Sequence, residues 1–337
     1  MSSTYRILIV GPSWVGDMVM AQSLFMALKQ QHKNCSIDVL APEWSLAIME
    51  RMPEVRKAIV MPLGHGQFDF KGRKAVGEKL RVEEYDESIV LPNSWKSALT
   101  PYFANIPKRT GYLGELRWGL LNNSRRLNKN LLTKTVQRFV ALASAANTIV
   151  PVIPQPRLLI DPASVDVAKA SFNLELTEAK VLGLCPGAEY GSAKRWPQEH
   201  YAAVAKKALE NGWQVYLFGS AKDEPVTAKV NELAGGACRD FAGKTNLTEA
   251  LDLMSLCDVV ISNDSGLMHV AAALNIKTIA LYGSSDPNFT PPLHPDADVI
   301  TLGLECSPCF KRECPLGHLD CLTKISPERV LSLMDVA

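Results

Sequence analysis

Short apolar runs and amphipathic stretches take turns along this chain. YRILIV (5–10), SIDVLAP (36–42), KAIVMP (57–62) and ESIVLPN (87–93) are strand-length segments rich in β-branched residues. DMVMAQSLFMALKQQ (17–31) and WSLAIMERMP (44–53) carry helical patterns. Strands that are apolar throughout, alternating with helices, predict a parallel sheet covered on both faces. A polar, basic stretch, LNNSRRLNKNLLTK (121–134), then leads into a further helix, TVQRFVALASAA (135–146).

The alternation stops at IVPVIPQPRLLIDP (149–162), which has four prolines in fourteen residues. Proline at that density continues neither a helix nor a central strand, so the segment reads as an interdomain connector. Beyond it the pattern restarts. AKVLGLCPG (179–187), QVYLFGS (214–220), DVVISNDSG (258–266) and KTIALYG (277–283) predict strands, the last of them ending the core. PQEHYAAVAKKALENG (197–212), PVTAKVNELAG (225–235), LTEALDLMSLC (247–257) and LMHVAAALN (267–275) predict the helices between and around them. Two doubly wound α/β units joined by a hinge are expected to put their strand ends on either side of one cleft. Ligands in such sheets bind beyond the carboxyl ends of strands. Attention therefore falls on residues 11–17, 186–196, 218–223, 263–269 and 283–286.

Length and composition agree with two units. A chain of 337 residues suits two domains of about 150 each. Its 47% hydrophobic and 21% charged content is that of an ordinary globular enzyme, and a net charge of +1 makes no case for nucleic acid as a partner. No apolar run reaches the roughly 18 residues of a membrane helix, and the N-terminus lacks the features of a signal peptide. A cytoplasmic location is expected.

Three strand ends carry candidate chemistry. SNDSGLMHVAAAL closes a buried strand and opens a helix, so Ser265, Gly266 and their neighbours are placed to direct backbone N–H groups at an anion. His269 lies four residues on, on the same side of the first turn. The competing explanation is a simple helix cap by Asp264 or Ser265. CPGAEYGSAKRWP presents Lys194 and Arg195 just before a helix, as a phosphate clamp or as a solvated basic pair. In FGSAKD, Gly219 and Ser220 allow close approach, and Lys222 or Asp223 could reach a ribose or base. GPSWVGDMVM has the glycine spacing of a phosphate loop, with Gly11 and Gly16, but Asp17 occupies the lysine position. An anion there repels phosphate.

The eight cysteines are unevenly spread. Cys35, Cys185, Cys238 and Cys257 lie in or beside apolar segments and read as small core residues. Cys306, Cys309, Cys314 and Cys321 crowd into CSPCFKRECPLGHLDC, with His318 among them. Three structural roles fit this segment: a metal or redox-labile cluster, one or two disulfides, or reduced thiols in a compact loop.

Taken together, GPSWVGDMVMAQSL, PGAEYGSAKRWP and NDSGLMHVAAAL resemble the bacterial ADP-heptose:lipopolysaccharide heptosyltransferases, and the resemblance covers nearly the whole chain. RMPEV, MPLGHG, LPNSWKSAL and FTPPL add to it. It implies a GT-B fold: two Rossmann-like domains facing across a cleft, residues 1–160 binding the acceptor and residues 161–337 binding ADP-heptose. Asp17 becomes the general base. Lys194 contacts the donor diphosphate, Asp264, Ser265, Gly266 and His269 form the phosphate and sugar end of the donor site, and the loop from Gly219 and Ser220 to Asp223 lies near the adenosine. The implied acceptor is the anionic inner core of lipopolysaccharide, for which His65, Asn93, Ser94, Lys96, Arg109 and Arg117 are candidate contacts. ADP-heptose enters as a substrate, no cofactor is required, and the enzyme works peripherally at the cytoplasmic face of the inner membrane. No role for the four clustered cysteines carries over.

In an inverting transfer, one carboxylate that takes the acceptor proton suffices, because ADP is already a good leaving group. Two alternatives remain: another nucleotide-sugar-dependent lipopolysaccharide glycosyltransferase of the same fold, and a noncatalytic nucleotide-sugar binding protein. A nicotinamide dehydrogenase is disfavoured, since neither half opens with GxGxxG.

Overall fold

The computed structural model describes residues 4–63, 68–144, 150–175 and 178–334. The chain divides into two compact units, Met1–Arg157 and Leu158–Ala337. Among the described residues each unit contains one six-stranded parallel sheet.

In the first unit the strands are β1 (Tyr5–Val10), β2 (Cys35–Ala41), β3 (Val55–Val60), β4 (Glu87–Val90), β5 (Lys108–Tyr112) and β6 (Asn123–Arg125). Their spatial order is β3-β2-β1-β4-β5-β6, so the order reverses between β1 and β4. The helices are α1 (Val15–Gln31), α2 (Leu46–Met49), α3 (Phe70–Leu80), α4 (Leu99–Phe103) and α5 (Thr135–Val140). Ile7, Leu8 and Ile9 of β1 are wholly enclosed, as expected of a central strand covered on both faces. α1 is apolar around most of its circumference and is buried from Met18 to Phe25. Its two buried polar residues reach out to the proline-rich segment. Gln22 exchanges hydrogen bonds with the Arg157 backbone, its Oε1 accepting from N at 2.8 Å and its Nε2 donating to O at 2.7 Å. Ser23 Oγ donates to Pro154 O at 2.7 Å. Up to Arg157, then, this stretch is fastened to α1.

The second unit holds β7 (Val181–Cys185), β8 (Gln214–Leu217), β9 (Arg239–Asp240), β10 (Val259–Asn263), β11 (Lys277–Leu281) and β12 (Asp298–Ile300). The order β12-β11-β10-β7-β8-β9 reverses between β10 and β7. Around it lie α6 (Pro162–Ser171), α7 (Gln198–Glu210), α8 (Glu224–Leu233), α9 (Leu247–Met254), α10 (Gly266–Ala273), α11 (Asp320–Thr323) and α12 (Pro327–Leu331). One core joins Leu182, Leu184, Val215, Leu217, Val259 and Ile261 of the sheet to Trp196 and to residues of α7 and α12.

Asn263, fully buried at the end of β10, joins the loops at this reversal. Its Nδ2 donates to Pro186 O at 2.9 Å and Gly187 O at 3.3 Å, beyond the end of β7. Its Oδ1 accepts from Trp196 N at 3.0 Å and Tyr201 Oη at 3.1 Å. One amide thus satisfies backbone groups that the strand ends leave unpaired.

Several expectations need correcting. β5, β6, β9 and β12 were not anticipated, and β12 extends the sheet beyond the strand expected to end the core. The predicted helix 44–53 is reduced to α2 with a short 3₁₀ turn before it. α3 forms in a segment with no predicted element, capped by Asp69, whose carboxylate accepts from Gly72 N at 2.9 Å.

Replacing Asn263 with alanine strands buried carbonyls and a buried N–H together. Asn263→Ala is expected to lower the unfolding free energy by about 2–4 kcal/mol, measured by urea denaturation. A loss below about 0.5 kcal/mol, the range of ordinary surface changes, would contradict this role.

Candidate active site

In the second unit the candidate residues gather at the carboxyl ends of β7 and β10, the neighbouring strands at which the order reverses. α10 starts there. Its cap residue Ser265 is extended at φ −144° and ψ 173° and makes no side-chain cap bond. Instead Ser265 Oγ lies 3.2 Å from Ser262 Oγ. The helix's opening N–H groups, which have no intrahelical acceptor, therefore lack a cap from Ser265. This is the arrangement that receives an anion rather than a self-capped helix.

Lys194 approaches from the β7 side. Its Nζ donates to Asp264 Oδ2 at 2.5 Å and to Asp264 O at 3.3 Å, and it lies 5.1 Å from the centre of the Tyr190 ring. Two of the ammonium's three N–H groups are thereby engaged, and a third remains for a ligand. Asp264 is buried, and its carboxylate is occupied by Lys194, with Thr290 Oγ1 at 3.5 Å from the other oxygen. It orients the lysine at the expected phosphate and sugar end of the site. His269 is buried behind this pair. Burial pushes its pKa down to about 4; Asp264 opposes the shift and Lys194 adds to it. The imidazole is neutral at ordinary pH.

Gly219 and Ser220 follow β8. Asp223 Oδ2 accepts from Ser220 N at 2.9 Å and from Ser220 Oγ at 2.8 Å. The same carboxylate packs so closely on Gly187 that a Cβ there would stand 2.3 Å from it. Asp223 therefore braces the loops after β7 and β8. Lys222 is exposed and pairs with Glu189 at 2.6 Å.

In the first unit Asp17 stands in the opening turn of α1, just past β1, where the positive end of the helix dipole favours a carboxylate. Asn93, Ser94 and Lys96 follow β4, on the other side of the strand reversal. Arg117 proves different. It is fully buried, and its guanidinium donates to Tyr112 O, to Pro92 O at 2.6 Å, to Ser94 O at 3.4 Å and to Asn93 Oδ1 at 3.3 Å. Burial lowers its pKa to about 10. Arg117 holds the Asn93–Ser94 loop and is not exposed to an acceptor. Arg109 is corrected as well: it lies near the amino end of β5, away from the ligand-binding edge, and donates to Leu120 O and Ile106 O, both at 2.6 Å. His65 lies outside the described residues.

Sequence reasoning missed the supporting groups: Asn263 as the joint, Tyr190 under Lys194, and two exposed tryptophans, Trp14 and Trp95, on the loops after β1 and β4. Each lies in a stretch that the sequence already singles out, GPSWVGDMVM, LPNSWKSAL, PGAEYGSAKRWP or SNDSG, but nothing local announces its role. All eight cysteines are free thiols, so the disulfide alternative is not realised. The four clustered ones line a single small cavity together with Ala193 and Ser284. Among the described residues, no group of three or more His, Cys, Asp or Glu is in ready-made metal-holding geometry.

The profile of glycosyltransferase family 9 (heptosyltransferase) matches residues 73–320. The lipooligosaccharide heptosyltransferase 2 of Haemophilus influenzae is 48% identical, with 98% of each chain covered. The lipopolysaccharide heptosyltransferase 2 of Salmonella typhimurium is 46% identical over 97% of this chain and 96% of its own. The solved structure of the Escherichia coli ADP-heptose lipopolysaccharide heptosyltransferase II superposes with a TM-score of 0.86 at 43% identity, covering 98% of this chain and 97% of that one. With the strand reversals, the uncapped helix and its lysine in place, the chain belongs to glycosyltransferase family 9, the heptosyltransferases.

Proposed function

We propose that this enzyme moves L-glycero-D-manno-heptose from ADP-heptose to the first heptose of the lipopolysaccharide inner core, with inversion at the anomeric carbon. One observation carries the donor assignment: the uncapped start of α10 stands beside Lys194, in a chain that aligns end to end with enzymes named for heptose transfer. The donor diphosphate lies against the N–H groups of that helix start, and the free N–H of Lys194 reaches its oxygens. As the glycosidic bond to ADP breaks, negative charge grows on the leaving phosphate, where these donors already point. Asp264 and Tyr190 hold Lys194 in place, and Gly219 and Ser220 line the nucleoside side.

At the acceptor, Asp17 takes the proton of the attacking hydroxyl as the new bond to the anomeric carbon forms. Asn93, Ser94 and Lys96 contact the sugar and its anionic groups, and Trp14 and Trp95 offer aromatic faces to it. Arg117 acts only by holding their loop. Transition-state charge is met by Lys194 and α10, so no metal is called for at the reacting centre. The acceptor is lipid-anchored, which places the enzyme peripherally at the cytoplasmic face of the inner membrane. No helix among the described residues is long and apolar enough to cross a membrane.

The deciding experiment incubates the protein with ADP-heptose, or with UDP-sugars, and a heptose-Kdo-lipid acceptor, and determines the product linkage. Transfer from ADP-heptose is expected; transfer only from a UDP-sugar would overturn the assignment. In the same assay Asp17→Asn should lower kcat by about 10²–10⁴ with ADP binding unchanged. Lys194→Met should lower kcat/KM by about 10²–10³ through loss of a charge-directed donor. Because His269 stays neutral well below pH 6.5, its protonation adds no positive charge to the donor site near neutrality. Donor KM should therefore show no inflection near 6.5; an inflection there that disappears in His269→Gln would refute this.

A further inference from the structure

We infer that the turn after β5 is a membrane-docking prong: Leu116 and Trp118 enter the headgroup boundary of an anionic phospholipid bilayer, and Arg126 and Lys129 lie over its phosphates. The distribution of tryptophan points to this edge of the first unit. The chain has six tryptophans. Trp196 and Trp213, in the second unit, are buried in its core. Trp14, Trp44, Trp95 and Trp118 are all exposed, on the loops that follow β1, β2, β4 and β5. Those four strands are neighbours in the order β2-β1-β4-β5, so the rings share one carboxyl edge. Single exposed apolar residues need no explanation, but a run of them along one edge marks an interaction surface.

In the proposed reaction Trp14 and Trp95 face the acceptor sugar. The turn after β5 is built differently. Leu116 and Trp118 are 78% and 67% exposed, and Arg117 between them is fully buried. Its guanidinium donates to the carbonyls of Tyr112, Pro92 and Ser94 and to the Asn93 side chain, so the turn is fixed to its own strand and to the loop after β4. Glu115 Oε2 accepts from Trp95 N at 3.1 Å on that same loop. Glu115 and Leu116 have φ of 43° and 56°, in the left-handed region that a bulky side chain rarely occupies. Such a backbone persists where its surroundings impose it, and here it holds an aliphatic side chain out in water. A prong fixed in advance loses little freedom when it docks.

The chemistry selects the occupant. Leucine has neither a flat face to stack on a sugar ring nor a hydrogen-bonding group, and it suits acyl chains. Tryptophan, with an apolar body and a polar N–H, is at home where a bilayer meets water. Charge agrees with this. Between residues 113 and 134 Glu115 is the only acidic residue, and its carboxylate meets Trp95 N. Arg126 and Lys129 are exposed on the loop after β6, which adjoins the prong because Leu113 N donates to Arg125 O at 2.7 Å. In a chain of net charge +1 this is a local positive excess, of the kind an anionic lipid surface attracts. β5 is two strands from β1, about 10 Å along the sheet. A prong seated in the bilayer therefore leaves the Asp17 turn within reach of a sugar just above the headgroups. The choice of a membrane rests on the lipid-anchored acceptor of the proposed function; the geometry of the prong does not.

The test measures binding of the full chain to vesicles of phosphatidylethanolamine and phosphatidylglycerol, and to vesicles of phosphatidylcholine alone, with neither donor nor acceptor present. The wild-type protein should sediment with the anionic vesicles, less so in high salt. Leu116→Ser with Trp118→Ser should weaken this binding about tenfold or more, and Arg126→Gln with Lys129→Gln to a similar extent, with unfolding midpoints unchanged. Failure of the wild-type protein to bind anionic vesicles, or equal binding by the Leu116 and Trp118 double variant, would overturn the surface. A dimer in solution that the double variant abolishes would overturn it too, by giving the prong to a second copy of the chain. In the transfer assay the double variant should lose kcat/KM toward acceptor carried in vesicles and keep it toward a lipid-free heptose-Kdo oligosaccharide. An equal loss on both acceptors would place the prong in the sugar site and overturn the proposal. Vesicle binding without any heptose transfer would support the surface while refuting the proposed reaction, so the two readings fail separately.

Discussion

The second unit depends on a single buried amide. Two parallel strands that diverge at a reversal of order leave their terminal backbone groups facing a crevice, without partners from either neighbour. Asn263 meets those groups on both sides, binding the Pro186–Gly187 turn through its donors and the start of the Trp196 segment through its acceptor. Trp196 in turn donates through Nε1 to Ile325 O at 2.9 Å, which carries the constraint on to the C-terminal helices. The position of Lys194, two residues before Trp196, follows from that chain of contacts. A longer or charged side chain at 263 could not satisfy both sets of groups in the same space.

The two units show one topology put to two chemical uses. Each reverses strand order once among its described strands, and each opens a helix just past the strand beside the reversal. In the second unit that helix start keeps its N–H groups open and has a lysine beside it. In the first it carries Asp17 in its opening turn, and the dipole that would hold a phosphate instead holds a carboxylate. In the proposed reading, one residue type at one turn of helix separates an anion receptor from a base.

The sequence was informative where physics is local. Central strands such as YRILIV and the β7 and β10 runs are buried on both faces, so their apolar content alone identifies them. The strands toward the sheet margins are different: KRTGY, next to the edge, and the edge strands NSR and RD are short and polar, and only pairing with a neighbour makes them strands. FKGRKAVGEKL conceals a helix behind lysines and two glycines, and its cap at Asp69 is the main local sign of it. At the site, strand-end positions were legible, because the sheet decides where they go. The roles of Arg117, Arg109, Asp223 and Asp264 were not. A charged side chain looks the same in sequence whether it meets solvent, ligand or a ring of carbonyls, and only tertiary burial separates these cases.

The pairing of Lys194 with Asp264 has a consequence for selectivity. A bare lysine beside an open helix start would be an indiscriminate trap for inorganic phosphate and for any nucleotide. With its charge already balanced by a buried carboxylate, the site offers a passing anion only directed N–H groups, and those reward the right spacing more than the right charge. In the proposed reading, occupancy is then decided by how well the groups of the donor meet those N–H directions rather than by its charge alone.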